Sequence, residues 1–157
     1  MPFNTLLLTC LHPGTSFGEV HNRVSVQQKS DETILFFVTD DRSNSVSTLR
    51  SDLKMGGAVC DLVIFYAQGN KKTLCLVELK GSDLEQAVEQ IINTYQHLQR
   101  TLKQPHRRLI GWKAYIQISG SIPKELKELQ KSLHNIFGKH NYAITRDDRE
   151  FANFIRN

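Results

Sequence analysis

The sequence predicts one α/β domain, a central mixed β-sheet flanked by helices, and three features predict it. Two apolar runs rich in β-branched and aromatic residues, DLVIFY at 61–66 and TLCLVEL at 73–79, are separated only by AQGNKK, which implies an antiparallel hairpin. After Gly81 the period changes: Leu84, Ala87, Val88, Ile91, Ile92, Tyr95, Leu98 and Leu102 recur every three or four residues, one stripe of a long helix. A strand-like run at 109–118 and an amphipathic segment at 123–137 follow, and strands interleaved with helices around one core give a layered architecture. The chain of 157 residues suits one domain, 1–157, with a core of ordinary size.

Taken in order, residues 12–30 are polar. They admit a short helix over 17–27, while Val20, Val24 and Val26 equally suit a strand. TILFFVT at 33–39 has strand composition, and Asp40-Asp41-Arg42-Ser43-Asn44 punctuates it as a turn. Gly56-Gly57 precedes the first hairpin arm. Ser82 with Glu85 three residues later forms a capping box for the long helix, which Pro105 ends. In 109–118, Ile110, Trp112, Ala114, Ile116 and Ile118 share one face. The 123–137 helix carries Leu126, Leu129, Leu133, Ile136 and Phe137 on its stripe and stops at Gly138. A short strand at 142–145 and a terminal helix at 147–155 complete the series.

Bulk composition narrows the function classes. Twenty Lys and Arg against sixteen Asp and Glu give a formal charge of +4, a mild basic excess compatible with a polyanion. No apolar run approaches the roughly 18 residues needed to span a bilayer, so no membrane partner is expected. The opening MPFNTLLLTCLHPG lacks the basic and apolar regions of a signal peptide. Three widely spaced cysteines, Cys10, Cys60 and Cys75, form no CxxC pair, which suits a reducing, cytoplasmic setting. The six histidines show no zinc spacing, no GxxxxGK[ST] loop occurs, and no nucleophile elbow is present.

The chemistry concentrates at the hairpin. The second arm is apolar until Glu78 and Lys80, which lie on one face because strand side chains alternate. Asp61 begins the first arm, so the short turn brings the start of one strand opposite the end of the other. Two adjacent carboxylates repel each other and call for a cation, and hard oxygen donors favour Mg²⁺ or Mn²⁺. Such an ion suits phosphate chemistry, with Lys80 orienting water or offsetting charge.

Asp61, then Glu78-Leu79-Lys80 seventeen positions later at the end of an apolar strand, then a helix, resembles the PD-(D/E)xK nuclease superfamily, over about residues 55–100. The resemblance implies a restriction-endonuclease-like core. It also implies that Asp61 and Glu78 bind the metal, that the Leu79 backbone carbonyl reaches it, and that Lys80 assists the nucleophilic water. Gln90 and Tyr95 resemble the Gln-containing helix of RecB-like and archaeal NucS-like branches, with four residues between them in place of three. Cys60 stands where the name-giving Pro would be. The family expects an upstream acid, for which Glu19 leads, ahead of Glu32 and Asp52.

Cations gather at Arg100, Lys103, His106, Arg107 and Arg108, where they either contact phosphates or complement the end of the helix dipole. Lys113, with Gly111, Tyr115 and Gln117 on the less apolar face of its strand, lines a groove or sits as a surface lysine. The expectation is a metal-dependent nuclease hydrolysing phosphodiester bonds, in DNA rather than RNA, as a homodimer or within a larger nuclease complex. Two rivals stand beside it: a catalytically inactive nuclease-fold subunit that binds nucleic acid or assembles with protein, and an interaction domain in which Glu78 and Lys80 form only a surface ion pair.

Overall fold

The computed structural model describes residues 9–41, 43–44, 56–79, 83–102 and 106–157. Eight strands are described: β1 (Leu11–His12), β2 (Ser16–Glu19), β3 (Asn22–Ser25), β4 (Glu32–Val38), β5 (Leu62–Gln68), β6 (Lys71–Glu78), β7 (Gly111–Gln117) and β8 (Tyr142–Thr145). The helices are α1 (Leu84–Thr101), the single turn α2 (His106–Leu109), α3 (Leu126–Phe137) and α4 (Phe151–Arg156). Six strands form a mixed sheet in the order β1-β4-β5-β6-β7-β8, and β2 pairs with β3 as a separate hairpin. From β1 to β6 neighbours run antiparallel; β6, β7 and β8 run parallel. Parallel pairing needs a crossover, and α1 and α3 supply the two crossovers.

Each sheet face has its own cover. Val63, Leu74, Leu76, Ala114 and Ile116 face Leu84, Val88, Ile91 and Leu98 of α1 and Leu133 and Phe137 of α3. On the opposite face Phe36, Leu62, Ile64, Cys75, Val77 and Tyr115 meet Val24 and Val26 of the hairpin segment and Phe151 and Ile155 of α4. β5 and β6 are therefore buried on both sides, which is why they read as continuous apolar runs instead of alternating ones. Burying each Leu or Ile there contributes about 1.5–3 kcal/mol. The expected mixed sheet and long helix are present, and the face of Ile110 to Ile118 packs as expected against α1 and α3.

Several local expectations are corrected. Of the two readings of residues 17–27 the helix is ruled out: Ser16–Glu19 and Asn22–Ser25 form a hairpin with Val20 in its turn, Val24 and Val26 are buried with exposed neighbours, period two, and Gly18 has φ +113. A Cβ on Gly18 would collide with the Asn22 carbonyl oxygen, so the strands meet at a distance only glycine permits. The α1 cap is Asp83, whose Oδ1 accepts from the Gln86 amide at 3.1 Å; Ser82 lies outside the described residues. The β5–β6 turn is only Gly69-Asn70, so Lys71 and Lys72 pair in the ladder opposite Gln68 and Ala67. α4 begins at Phe151 because Asp147 instead holds a turn, accepting from the Arg149 amide and guanidinium.

Candidate functional site

In the β5–β6 register Leu62 faces Val77, so Asp61 and Glu78 are brought together at one end of the sheet. Backbone amides aim both carboxyls. The Leu79 amide donates to Asp61 Oδ2 at 2.9 Å, and the Asp61 amide donates to Glu78 Oε2 at 3.1 Å. Glu78 is only 7 % exposed. Burial pushes its carboxyl up to about 9, helped by the Asp61 charge, the more distant Asp40 charge and a hydrogen bond between the two carboxyls, against the pull of the Asp61 amide. Burial and the neighbouring Asp61 charge therefore favour the protonated form of Glu78.

The chain before Asp61 is pinned from both sides. The Cys60 amide donates to Thr94 Oγ1 at 2.9 Å, and Thr39 Oγ1 donates to the Cys60 carbonyl at 2.5 Å. The Thr39 amide donates to the Asp61 carbonyl at 3.0 Å. Gln90 Nε2 donates to the Val59 carbonyl, and Asn93 Nδ2 to those of Gly56 and Ala58. The polar edge of α1 thus acts as a brace for 56–61. Gln90 is engaged there, so its expected nucleic-acid contact competes with a backbone bond. Tyr95 sits in the core, edge-on to Trp112 at 5.1 Å and near Phe137 at 5.3 Å.

Glu19, the leading upstream acid, lies on β2 and lines a cleft of about 460 Å³ together with Asp61, Leu79, Asn22, Phe17 and His12. Glu32 is remote: β4 places it opposite Gln68, at the far end of the sheet, where Arg156 Nε and Nη2 clamp it at 2.7 and 2.8 Å. Lys80, Asp52 and Lys103, and the side chain of Arg107, lie outside what the structure describes. Arg100 lies in the last turn of α1, and Arg108 lies in α2 just before β7, whose Gly111 pairs with Thr73. Arg100 and Arg108 thus lie toward the start of β6, the opposite end of that strand from Glu78. Lys113 is buried at 4 % exposure and donates to the Phe154 carbonyl at 2.7 Å.

Asp40 was not singled out by the sequence reading as part of the site, although it follows β4, whose last pair, Val38 with Leu62, leads it toward Asp61. Thr39, Asn93 and Thr94 were missed as well; a hydroxyl or amide on a helix edge carries no signal until its partner strand is known. Thiol chemistry is excluded at Cys60: it is fully buried, and its thiol is pushed up to about 12, first by desolvation. Among the described residues no group of three or more His, Cys, Asp or Glu side chains is arranged to hold a metal ion. No helix among them is long and apolar enough to cross a membrane. No protein-family model, curated protein or solved structure matches the chain.

Proposed function

We propose that this protein is a metal-dependent nuclease of the PD-(D/E)xK kind, hydrolysing phosphodiester bonds in nucleic acid, DNA rather than RNA. The observation that carries the reading is the acid pair, Glu78 buried and Asp61 half-buried at the cleft. Evolved cores rarely retain two adjacent carboxyls, one of them forced to keep a proton, without a compensating ligand. The donor chemistry suits a hard divalent cation: Asp61 and Glu78 would hold Mg²⁺ or Mn²⁺ with the Leu79 carbonyl, while Glu19 lines the same cleft as Asp61 without completing a three-acid group. Two protein carboxylates suffice for an ion that keeps most of its waters.

When bound, the ion supplies Lewis acidity toward a phosphoryl oxygen and lowers the pKa of its water. The chain's own contribution is orientation. The Leu79 and Asp61 amides fix the two carboxyls, the Thr39–Cys60–Thr94 bonds fix the segment that leads into Asp61, and Lys80 would, by the resemblance, orient the attacking water. The hairpin followed by a capped helix supports the same reading.

The test is cleavage of plasmid, linear duplex, single-stranded, branched and RNA substrates with Mg²⁺, Mn²⁺ or EDTA. Metal-dependent cutting by the wild type, abolished by Glu78→Ala and by Lys80→Ala, is expected. Binding without cutting on every substrate would replace this reading with the inactive-subunit one.

A further inference from the structure

A second cluster lies at the opposite end of β6. Lys71 and Lys72 start that strand, Lys113 lies on the adjoining β7, and with Asn70 and Asn141 they line a cleft of about 270 Å³. Lys71 and Lys113 reach it from the sheet face that α4 covers and Lys72 from the opposite face, around the end of the sheet, and its lining includes no Asp or Glu side chain. Lys71 and Lys113 are drawn to the same place by the C-terminal turn of α4: Lys71 Nζ donates to the Arg156 carbonyl and Lys113 Nζ to that of Phe154. Each ammonium has three N–H donors, and only one of each is used in these bonds. No carboxylate among the described residues pairs with Lys113, although buried lysines are ordinarily paired. Burial holds its amine below the ordinary value, and the Lys71 charge pushes the same way. Neighbouring cations that repel each other and keep spare donors mirror the acid pair at the other end, with the sign reversed.

We propose that this cleft binds a phosphate group, with Lys71, Lys72 and Lys113 supplying charge and Asn70 and Asn141 supplying directed amide donors. The chemistry is shared by the backbone of a nucleic acid and by a free phosphate or nucleotide. The proposal stands whether or not the acid pair cleaves anything. If both sites engage one polymer, the separation of about 25 Å corresponds to roughly seven base pairs of duplex.

The test uses the full chain in EDTA, so that no cleavage intervenes. Backbone amide spectra are followed during titration with inorganic phosphate, a nucleoside triphosphate, a 20-base single strand and a 20-base-pair duplex, and affinities are taken from fluorescence anisotropy. Lys72→Glu, on an exposed strand position, and Asn70→Asp, in the exposed turn, are compared with Lys124→Glu as a control remote in sequence. Saturable shifts at Asn70 to Thr73, Gly111 to Lys113 and Asn141 are expected. Lys72→Glu should weaken binding by about tenfold at moderate salt and flatten its salt dependence, while Lys124→Glu does not. Shifts with the oligonucleotides alone identify a polymer backbone as the ligand; shifts with phosphate or nucleotide identify a small one. Absence of shifts at these residues with all four probes, or equal affinity of Lys72→Glu and wild type with unchanged thermal unfolding, overturns the proposal.

Discussion

Glu78 keeps its proton because both burial and its neighbour oppose the charge, and this has a measurable consequence for stability. An unfolded Glu titrates near 4.5, whereas the folded group is pushed up to about 9. Between those values the unfolded chain releases a proton that the folded protein retains, so metal-free stability falls as pH rises, by at most about 1.4 kcal/mol per pH unit. Glu78→Gln should remove that slope, which urea denaturation in EDTA near pH 5 and near pH 8.5 reads directly. Thr94 is the second residue to test. Thr94→Val leaves the buried Cys60 amide without its acceptor and should cost about 1–3 kcal/mol, while Thr94→Ser restores most of it. Glu78 was legible in the sequence because a charge at the end of an apolar strand breaks a pattern. Thr94 was not, because a threonine on a helix breaks none.

At the scale of elements, the long-range signal came from period and the errors from short polar segments. α1 and the β5–β6 hairpin announce themselves through uninterrupted apolar spacing, since one stripe or two buried faces leave little choice of residue. The β2–β3 hairpin is specified by a few positions, Gly18, Val24 and Val26, and its alternation is too brief to exclude a helix. The hairpin forms one wall of the cleft beside Asp61. Gly18→Ala should open it, because the backbone has φ +113 and the added carbon meets the Asn22 carbonyl; the strain is on the order of 1–3 kcal/mol. Thermal unfolding measures the loss, and exchange of the Val24 and Asn22 amides locates it.

Across the whole molecule charge is sorted along the strands. The Asp61–Glu78 pair lies where β5 begins and β6 ends, while Lys71, Lys72 and Lys113 lie where β6 and β7 begin, the end that also holds Glu32. The sequence showed both signs but not their separation, since only the register reveals that Arg100 and Arg108 lie far from Glu78. The far end is also tied together by the Glu32–Arg156 pair, which joins the start of β4 to the last turn of α4. The Arg156 hydrogen bonds hold the Glu32 carboxyl down at about 2, so its contribution is complete above about 4.5 and is lost as pH falls toward 2. Glu32→Gln should flatten that acid limb in a pH series of thermal unfolding. The two glutamates thus act on opposite limbs: Glu32 adds stability as pH rises from acid, and Glu78 subtracts it above its unfolded value.

Manganese binding followed by electron paramagnetic resonance tests the central claim, that the acid pair is a metal centre, most directly. The account predicts one Mn²⁺ site per chain in the wild type, competed by Mg²⁺, tightening as pH rises because Glu78 must release its proton, and lost in both Asp61→Asn and Glu78→Gln. Wild-type binding no stronger than that of the two variants, with all three proteins folded, would contradict it.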